Sequence, residues 1–405
     1  MKILIIAMSN SIHTARWISH INDENWEIIL FPTNLFVAIH PEINNIKIYN
    51  SRIIQRIIKS YKDNKRNIKM YSEFDLYPFS NKKKSASSLF SDLFKFIIPD
   101  MRVRSLIKLI NKFKPDIIHS MHIQEAGYLT LEAKKRMKGI FPKWLVTNWG
   151  SELNLFAKLK SHKDKIREVL ESCDYFSSEC KRDLLIAPKY GFKGEFLNVI
   201  PNSGGLDFNY IKKLREETKK TSERKVIMLK GYQGWAGRAL VGIRAIERNA
   251  EFLTGFKIII FCIDTVEVRI AAEMLNKNTG IEVEIIEEET SHEEILKFHG
   301  QSRVSIGLSI TDAISTSMLE AMLMGSFPIQ SYTSCANEWV EDSQTALLVH
   351  PEDTDEVARA LKIALTDDKL VNYAAKTNYE NLEKKLEKSK IKKIIVNQYL
   401  DMLSS

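Results

Sequence analysis

Between residues 226 and 324 the chain repeats one unit about every thirty residues: a short aliphatic run, a polar or glycine-bearing turn, and an amphipathic helical stretch. The runs fall at 226–229, 257–262, 281–286 and 304–308, and the helical stretches at 239–249, 266–276, 292–300 and 316–324. Alternation this regular predicts a parallel sheet covered by helices on both faces. In such a sheet ligands bind at the carboxyl ends of the strands, so the loops that follow the runs are where chemistry is sought.

The first half opens the same way. Residues 2–8, KILIIAM, read as a buried strand ending in the turn Ser9-Asn10-Ser11, followed by a helix at 12–21 and a second strand at 26–31. Further strands are expected at 115–121, 143–147, 174–178 and 196–200, with a helix from about 124 to 137. A chain of 405 residues is too long for one ordinary core. The fold class expected is therefore α/β with two Rossmann-like parallel-sheet domains. Their bounds are 1–207, a connector at 208–225, and 226–377, with a C-terminal helix at 378–405 that crosses back to the first domain. The charge-dense stretch 212–225 reads as a solvated connector or helix.

Several function classes lack their marks. The first loop, SNSIHTARW, has no G-x-G-x-x-G, which argues against a nicotinamide enzyme. Cys173, Cys180, Cys262 and Cys335 are scattered without a C-x-x-C pair, so neither a disulfide framework nor a zinc site is indicated. No metal or other cofactor is expected. A net charge of +8 suits an anionic partner, but no nucleic-acid motif stands out, and no nucleic acid is expected as a partner. No run is long enough to span a bilayer, and a cytoplasmic protein is expected. The basic stretch 51–114, with Lys82-Lys83-Lys84 beside Leu89, Phe90, Leu93, Phe94, Phe96, Ile97 and Ile98, makes an anionic membrane surface a candidate partner.

Chemistry concentrates in 312–338, DAISTSMLEAMLMGSFPIQSYTSCANE. Ser315, Thr316 and Ser317 can cap a helix whose first N–H groups, from Ile314 onward, have no intrahelical partner, and such a terminus attracts phosphate. Glu320, about one turn in, can accept hydrogen bonds from a ribose diol. Asp312 stands eight residues before it. The first loop of this half, Lys230-Gly231-Tyr232-Gln233-Gly234-Trp235-Ala236-Gly237-Arg238, brackets Gly231, Gly234 and Gly237 with two cations. Its glycines let backbone approach a ligand closely.

These residues resemble the signature of retaining family-4 glycosyltransferases (glycosyl transferases group 1) of the GT-B fold, with two domains facing a central cleft. Asp312-x7-Glu320 stands for the family's E-x7-E, Glu320-Ala321-Met322 for its EAM, and Gly325-Ser326-Phe327-Pro328 for its Gly-x-Pro break. Pro201-Asn202-Ser203-Gly204-Gly205-Leu206-Asp207 is similar to the P-N-G-x-D stretch before the domain crossing. The resemblance implies a nucleoside-diphosphate sugar as donor and a glycan or glycolipid as acceptor, in cell-surface polysaccharide or lipopolysaccharide synthesis. Lys230 and Arg238 would bind the diphosphate, Glu320 the ribose, and Asp312 a donor-sugar hydroxyl.

Two departures stand out. Asp312 is shorter than the family's Glu, and the loop Asn148-Trp149-Gly150-Ser151-Glu152 lacks the histidine that commonly touches the donor sugar. His13, His119 or His122, or Asn148 with the backbone, is expected to take over that contact. Glu152 joins His13, His122 and Asn148 as an acceptor-site candidate, with Arg16 a weaker one. Two other readings stay open: a sugar-nucleotide 2-epimerase and a catalytically degenerate GT-B binding subunit.

Overall fold

The computed structural model describes residues 1–33, 39–49, 69–71, 88–286 and 290–404, with only the backbone described at 69–71 and 88–99. The chain divides into two compact units, Met1–Gly204 with Ile391–Ser405, and Gly205–Lys390.

In the first unit the apolar runs become β1 (Lys2–Ala7), β2 (Glu27–Pro32), β3 (Lys47–Tyr49), β4 (Lys69–Tyr71), β5 (Ile117–Met121), β6 (Lys143–Asn148), β7 (Tyr175–Ser178) and β8 (Glu195–Phe196). They pair in the order β4-β3-β2-β1-β5-β6-β7-β8, all parallel. Strand order reverses between β1 and β5, so the loops after these two strands part to opposite faces and leave a crevice at their carboxyl ends. The expected strand at 196–200 shrinks to the two residues of β8.

The last helix, Lys388–Ser404, gives its side chains to this first unit from Ile391 onward. Tyr399 is fully buried, accepting a hydrogen bond from Trp17 Nε1 at 3.0 Å and standing 2.6 Å from His119 Nδ1. Lys143 Nζ caps the helix by donating to the Met402 carbonyl at 2.6 Å.

The second unit is built from β9 (Val226–Lys230), β10 (Lys257–Phe261), β11 (Glu282–Ile285), β12 (Ser302–Gly307), β13 (Phe327–Ser331) and β14 (Leu347–Val349), in the order β11-β10-β9-β12-β13-β14. All pairs are parallel, with the reversal between β9 and β12. A core of Ile227, Leu229, Ile243, Ile258, Ile260, Ile306 and Leu361 joins the sheet to its helices. The helix Asp368–Leu386 lies within this unit.

The stretch 212–225 is not merely a solvated connector. Asp207 caps a helix at Phe208–Glu216 by accepting from the N–H groups of Asn209 and Tyr210, and Arg224 is buried, only 5% exposed. Gly204 takes φ of +70°, and a Cβ there would meet His20 Nε2 at 2.9 Å, so this turn requires glycine. Among the described residues no helix is long and apolar enough to cross a membrane. The basic cluster Lys82-Lys83-Lys84 and the apolar side chains of 89–98 lie outside the described side chains.

Candidate functional site

At the β9/β12 reversal the loops after the two strands are stitched together. Gly237 and Ser309 form an antiparallel bridge, Arg238 N–H donates to the Leu308 carbonyl at 3.0 Å, and Ile310 N–H to the Ala236 carbonyl at 2.8 Å. The Lys230–Arg238 loop and the segment carrying Asp312 are thus one surface. Burial raises the Tyr232 hydroxyl pKa; nearby Lys230 opposes the rise while Asp312 adds to it. Lys230 Nζ stands 4.5 Å over the Tyr232 ring.

The three glycines of the loop are accounted for by the protein itself. A Cβ on Gly237 would sit 1.9 Å from the Tyr232 carbonyl oxygen, one on Gly231 2.6 Å from Ile263 Cγ1, and one on Gly234 2.9 Å from Asp264 Oδ2. Asp264 fastens the loop by accepting from the N–H groups of Gln233 at 2.8 Å and Gly234 at 3.1 Å. Gln233 Oε1 accepts from Leu240 N–H at 3.0 Å and so serves the first turn of the helix Ala239–Arg248. Beside the loop opens a cavity of about 600 Å³, bordered by Tyr232, Trp235, Phe261, Ile263 and Asp264.

Arg238 is already engaged. Its Nε donates to Glu352 Oε1 at 2.8 Å and its Nη1 to the Gly237 carbonyl at 2.6 Å. The Glu352 side chain is 54% exposed, so the pair is of the weak, solvent-screened kind. The guanidinium holds the Glu352 carboxyl below its ordinary pKa.

The helix Thr316–Leu323 follows β12, with Ser315 at its N-cap accepting from Met318 N–H, and Ser315 Oγ 2.9 Å from Ser317 Oγ. Thr316 and Ser317 are half-buried, and Ile314 is buried. Leu319, Ala321, Met322 and Leu323 all face the core, which fixes the helix and with it Glu320. The Glu320 carboxylate is 9% exposed, and its Oε1 lies 2.7 Å from Nε2 of His292, on the first turn of the helix His292–Gln301. Two arginines take the carbonyls at the other end: Arg224 donates to Met324 at 3.0 Å and Arg215 to Leu323. Cations there complement the helix dipole.

In the first unit the β1/β5 reversal gathers aromatic rings. His13, on the helix Ile12–Ser19 after β1, lies 5.4 Å from Trp149, and His122, just after β5, lies 5.3 Å from the same ring. His122 takes φ of +87°, a backbone angle such residues seldom adopt outside special sites. His122 Nδ1, Trp149 Nε1 and Asn148 Oδ1 are buried polar atoms with no hydrogen-bond partner among the described residues. Buried polar atoms are nearly always satisfied, so three in one loop cluster mark a place for a hydroxyl-bearing ligand or for water.

The remaining candidates divide. Glu152 is buried and binds the Trp149 N–H with both carboxylate oxygens, at 2.9 and 3.1 Å, which shapes the loop. Asn148 Nδ2 donates to the buried Asp183 at 2.7 Å. Arg16 packs against Gly204. His119 must be removed: it is fully buried, 2.7 Å from Thr147 Oγ1 and 2.6 Å from Tyr399 Oη, and burial pushes its pKa down to about 3. It is a core histidine. Sequence reasoning missed His292, Glu352 and Asp264. A Ser291-x-x-Glu294 capping box marks His292's helix, but no local signal pairs it with Glu320.

Residues 211–381 match the family model described as Glycosyl transferases group 1, and residues 56–178 match Glycosyl transferase 4-like. No curated protein sequence matches the chain. Among solved structures, the sucrose-phosphate synthase of Thermosynechococcus elongatus is similar at a TM-score of 0.70 and 14% identity, over 100% of this chain and 99% of that one. The α,α-trehalose 6-phosphate synthase of Burkholderia multivorans gives 0.68 and 12%, over 100% and 98%. HepE of Anabaena, solved in complex with UDP-glucose, gives 0.65 and 13%, over 99% and 100%. The two parallel-sheet units are those of the GT-B fold.

Proposed function

We propose that this chain, a glycosyltransferase of GT-B type, moves a sugar from a nucleoside-diphosphate donor to a glycan or lipid-linked acceptor with retention of anomeric configuration. The observation that carries the reading is the stitched pair of loops at the β9/β12 reversal, which joins the Lys230–Arg238 loop to the segment that carries Asp312 and runs into the Glu320 helix. HepE in complex with UDP-glucose supports a donor of this class.

Breaking the bond between the anomeric carbon and the diphosphate leaves charge on the leaving group, and catalysis must stabilise that charge. Lys230, Arg238 released from Glu352, and the amides of Ile314 to Ser317 supply positive potential. Glu320, oriented by His292 at Oε1, accepts the ribose hydroxyls. Asp312 binds a sugar hydroxyl. The cavity bordered by Tyr232 and Trp235 takes the base by stacking. In the first unit His13, His122, Trp149 and Asn148 form the acceptor candidate: aromatic faces for a sugar ring and orphaned polar atoms for its hydroxyls. With retention, the leaving phosphate itself serves as the base for the incoming hydroxyl.

A second reading, a binding subunit without turnover, is favoured by Asp312 in place of a longer acid and by the engaged Arg238. Saturation-transfer NMR against a panel of nucleotide sugars, followed by assays of released nucleotide with and without acceptors, separates the two. Binding with acceptor-dependent release supports transfer, and binding without release under any acceptor supports the subunit. No binding of any nucleotide sugar overturns both.

A further inference from the structure

At the carbonyl end of the helix Thr316–Leu323 the second unit holds a cavity of about 500 Å³, away from the amide end assigned to the donor. Its charged lining is Arg215, Lys219, Lys220, Arg224 and Lys376 against one carboxylate, Glu380. The two guanidiniums crowd one point: a Cβ on Gly325 would lie 3.3 Å from Arg224 Nη2 and 3.4 Å from Arg215 Nη1.

Among the described residues their hydrogen-bond partners are carbonyls and a hydroxyl, without a full negative charge. Arg224 donates to the carbonyls of Met324 at 3.0 Å, Ser302 at 3.2 Å and Lys219 at 2.9 Å, and to Thr218 Oγ1 at 3.2 Å. Arg215 donates to the Leu323 carbonyl and lies 4.5 Å over the Tyr379 ring. Burial, with Arg215 adding repulsion, lowers the Arg224 pKa to about 10. A helix C-terminus offers only about half a negative charge to set against two cations. Capping that helix accounts for the contacts to Leu323 and Met324. It does not account for Lys219, Lys220 and Lys376 converging from two elements on the same cavity.

We propose that this cavity binds a phosphate group, as free phosphate, a soluble phosphomonoester or a phosphomonoester lipid headgroup. A doubly charged phosphate balances the buried Arg224 and half-buried Arg215 guanidiniums, and the planar donor fork of Arg215 matches its oxygens. The assignment does not depend on the transfer reaction.

The test uses the full chain and a Lys219→Gln/Lys220→Gln/Lys376→Gln variant, three exposed lysines whose loss leaves the arginine contacts in place. Lys230→Gln is the control for phosphate bound at the donor loop. Calorimetric titration with inorganic phosphate and glucose 6-phosphate covers the soluble sources. Co-sedimentation with phosphatidylcholine vesicles, with and without phosphatidic acid, covers the lipid. The expected result is a binding step that survives in Lys230→Gln and weakens about tenfold in the triple variant, as removal of three partly screened cations implies. Binding in the titrations alone assigns a soluble ligand, and binding only to phosphatidic acid vesicles assigns the headgroup. No binding in any arm, unchanged binding in the triple variant, or loss in Lys230→Gln would overturn the proposal.

Discussion

His292 Nε2 stands 2.7 Å from Glu320 Oε1, joining the start of one helix to the second turn of another, on either side of β12 in the chain. The contact occupies one carboxylate oxygen and orients the other. A His292→Ala variant is therefore expected to keep its fold and kcat while its donor KM rises about tenfold, the scale of one hydrogen bond to a charged group. His292→Gln, which can still donate, should recover part of the loss. Equal falls in kcat and kcat/KM would instead place the histidine at the transition state.

Arg238 and Glu352 make the opposite arrangement, a catalytic candidate held by an exposed acid. Glu352→Ala should tighten donor binding by about two- to fivefold, because the diphosphate no longer competes with a surface ion pair. Arg238→Ala should weaken donor binding in both backgrounds. A calorimetric double-mutant cycle measures the coupling, and no change on Glu352→Ala would show that Arg238 leaves the diphosphate to Lys230.

Gly237→Ala should damage the donor loop outright. Its Cβ would lie 1.9 Å from the Tyr232 carbonyl, so the bridge to Ser309 must open. The expected cost is about 1–3 kcal/mol of stability, readable as a lower thermal midpoint, together with lost donor binding. Gly255→Ala would be strained by its φ of +74° but meets no atom within 4 Å and should leave donor binding unchanged.

The buried histidines give the fold an acid limit. Burial lowers His119 to about 3 and His299 to about 4, from an ordinary 6.5. The native state keeps both neutral where the unfolded chain takes up protons. Their stabilisation is full above about pH 6.5 and is lost as pH falls toward 4 and then 3. Urea midpoints across this range should fall with acid, and less steeply in a folded His119→Asn variant.

What the sequence made legible was whatever repeats or is local. Period and turn chemistry were enough for two parallel sheets, with Lys230 at a strand end, Asp312 in the loop after another and Glu320 in the helix that follows, on the side where such sheets bind ligands. The side-chain partners were not legible, since His292 and Glu320 are 28 residues apart and Arg238 and Glu352 are 114 apart. Arg224 was misread within a charge-dense stretch because its partners are backbone carbonyls, which leave no mark in composition. His119 shows the converse: a histidine in mid-strand bonded within the core to Tyr399 on the last helix.

The central claim is that the β9/β12 loops bind and activate a nucleotide sugar. Its most direct measurement is acceptor-dependent nucleotide release by wild type, Lys230→Ala and Glu320→Ala, each first shown to be folded by circular dichroism. Turnover is expected in wild type and lost in both variants, and Glu320→Ala should also lose the preference for a ribonucleotide over its 2′-deoxy counterpart, so that the two bind alike. Wild-type turnover in either folded variant would contradict it.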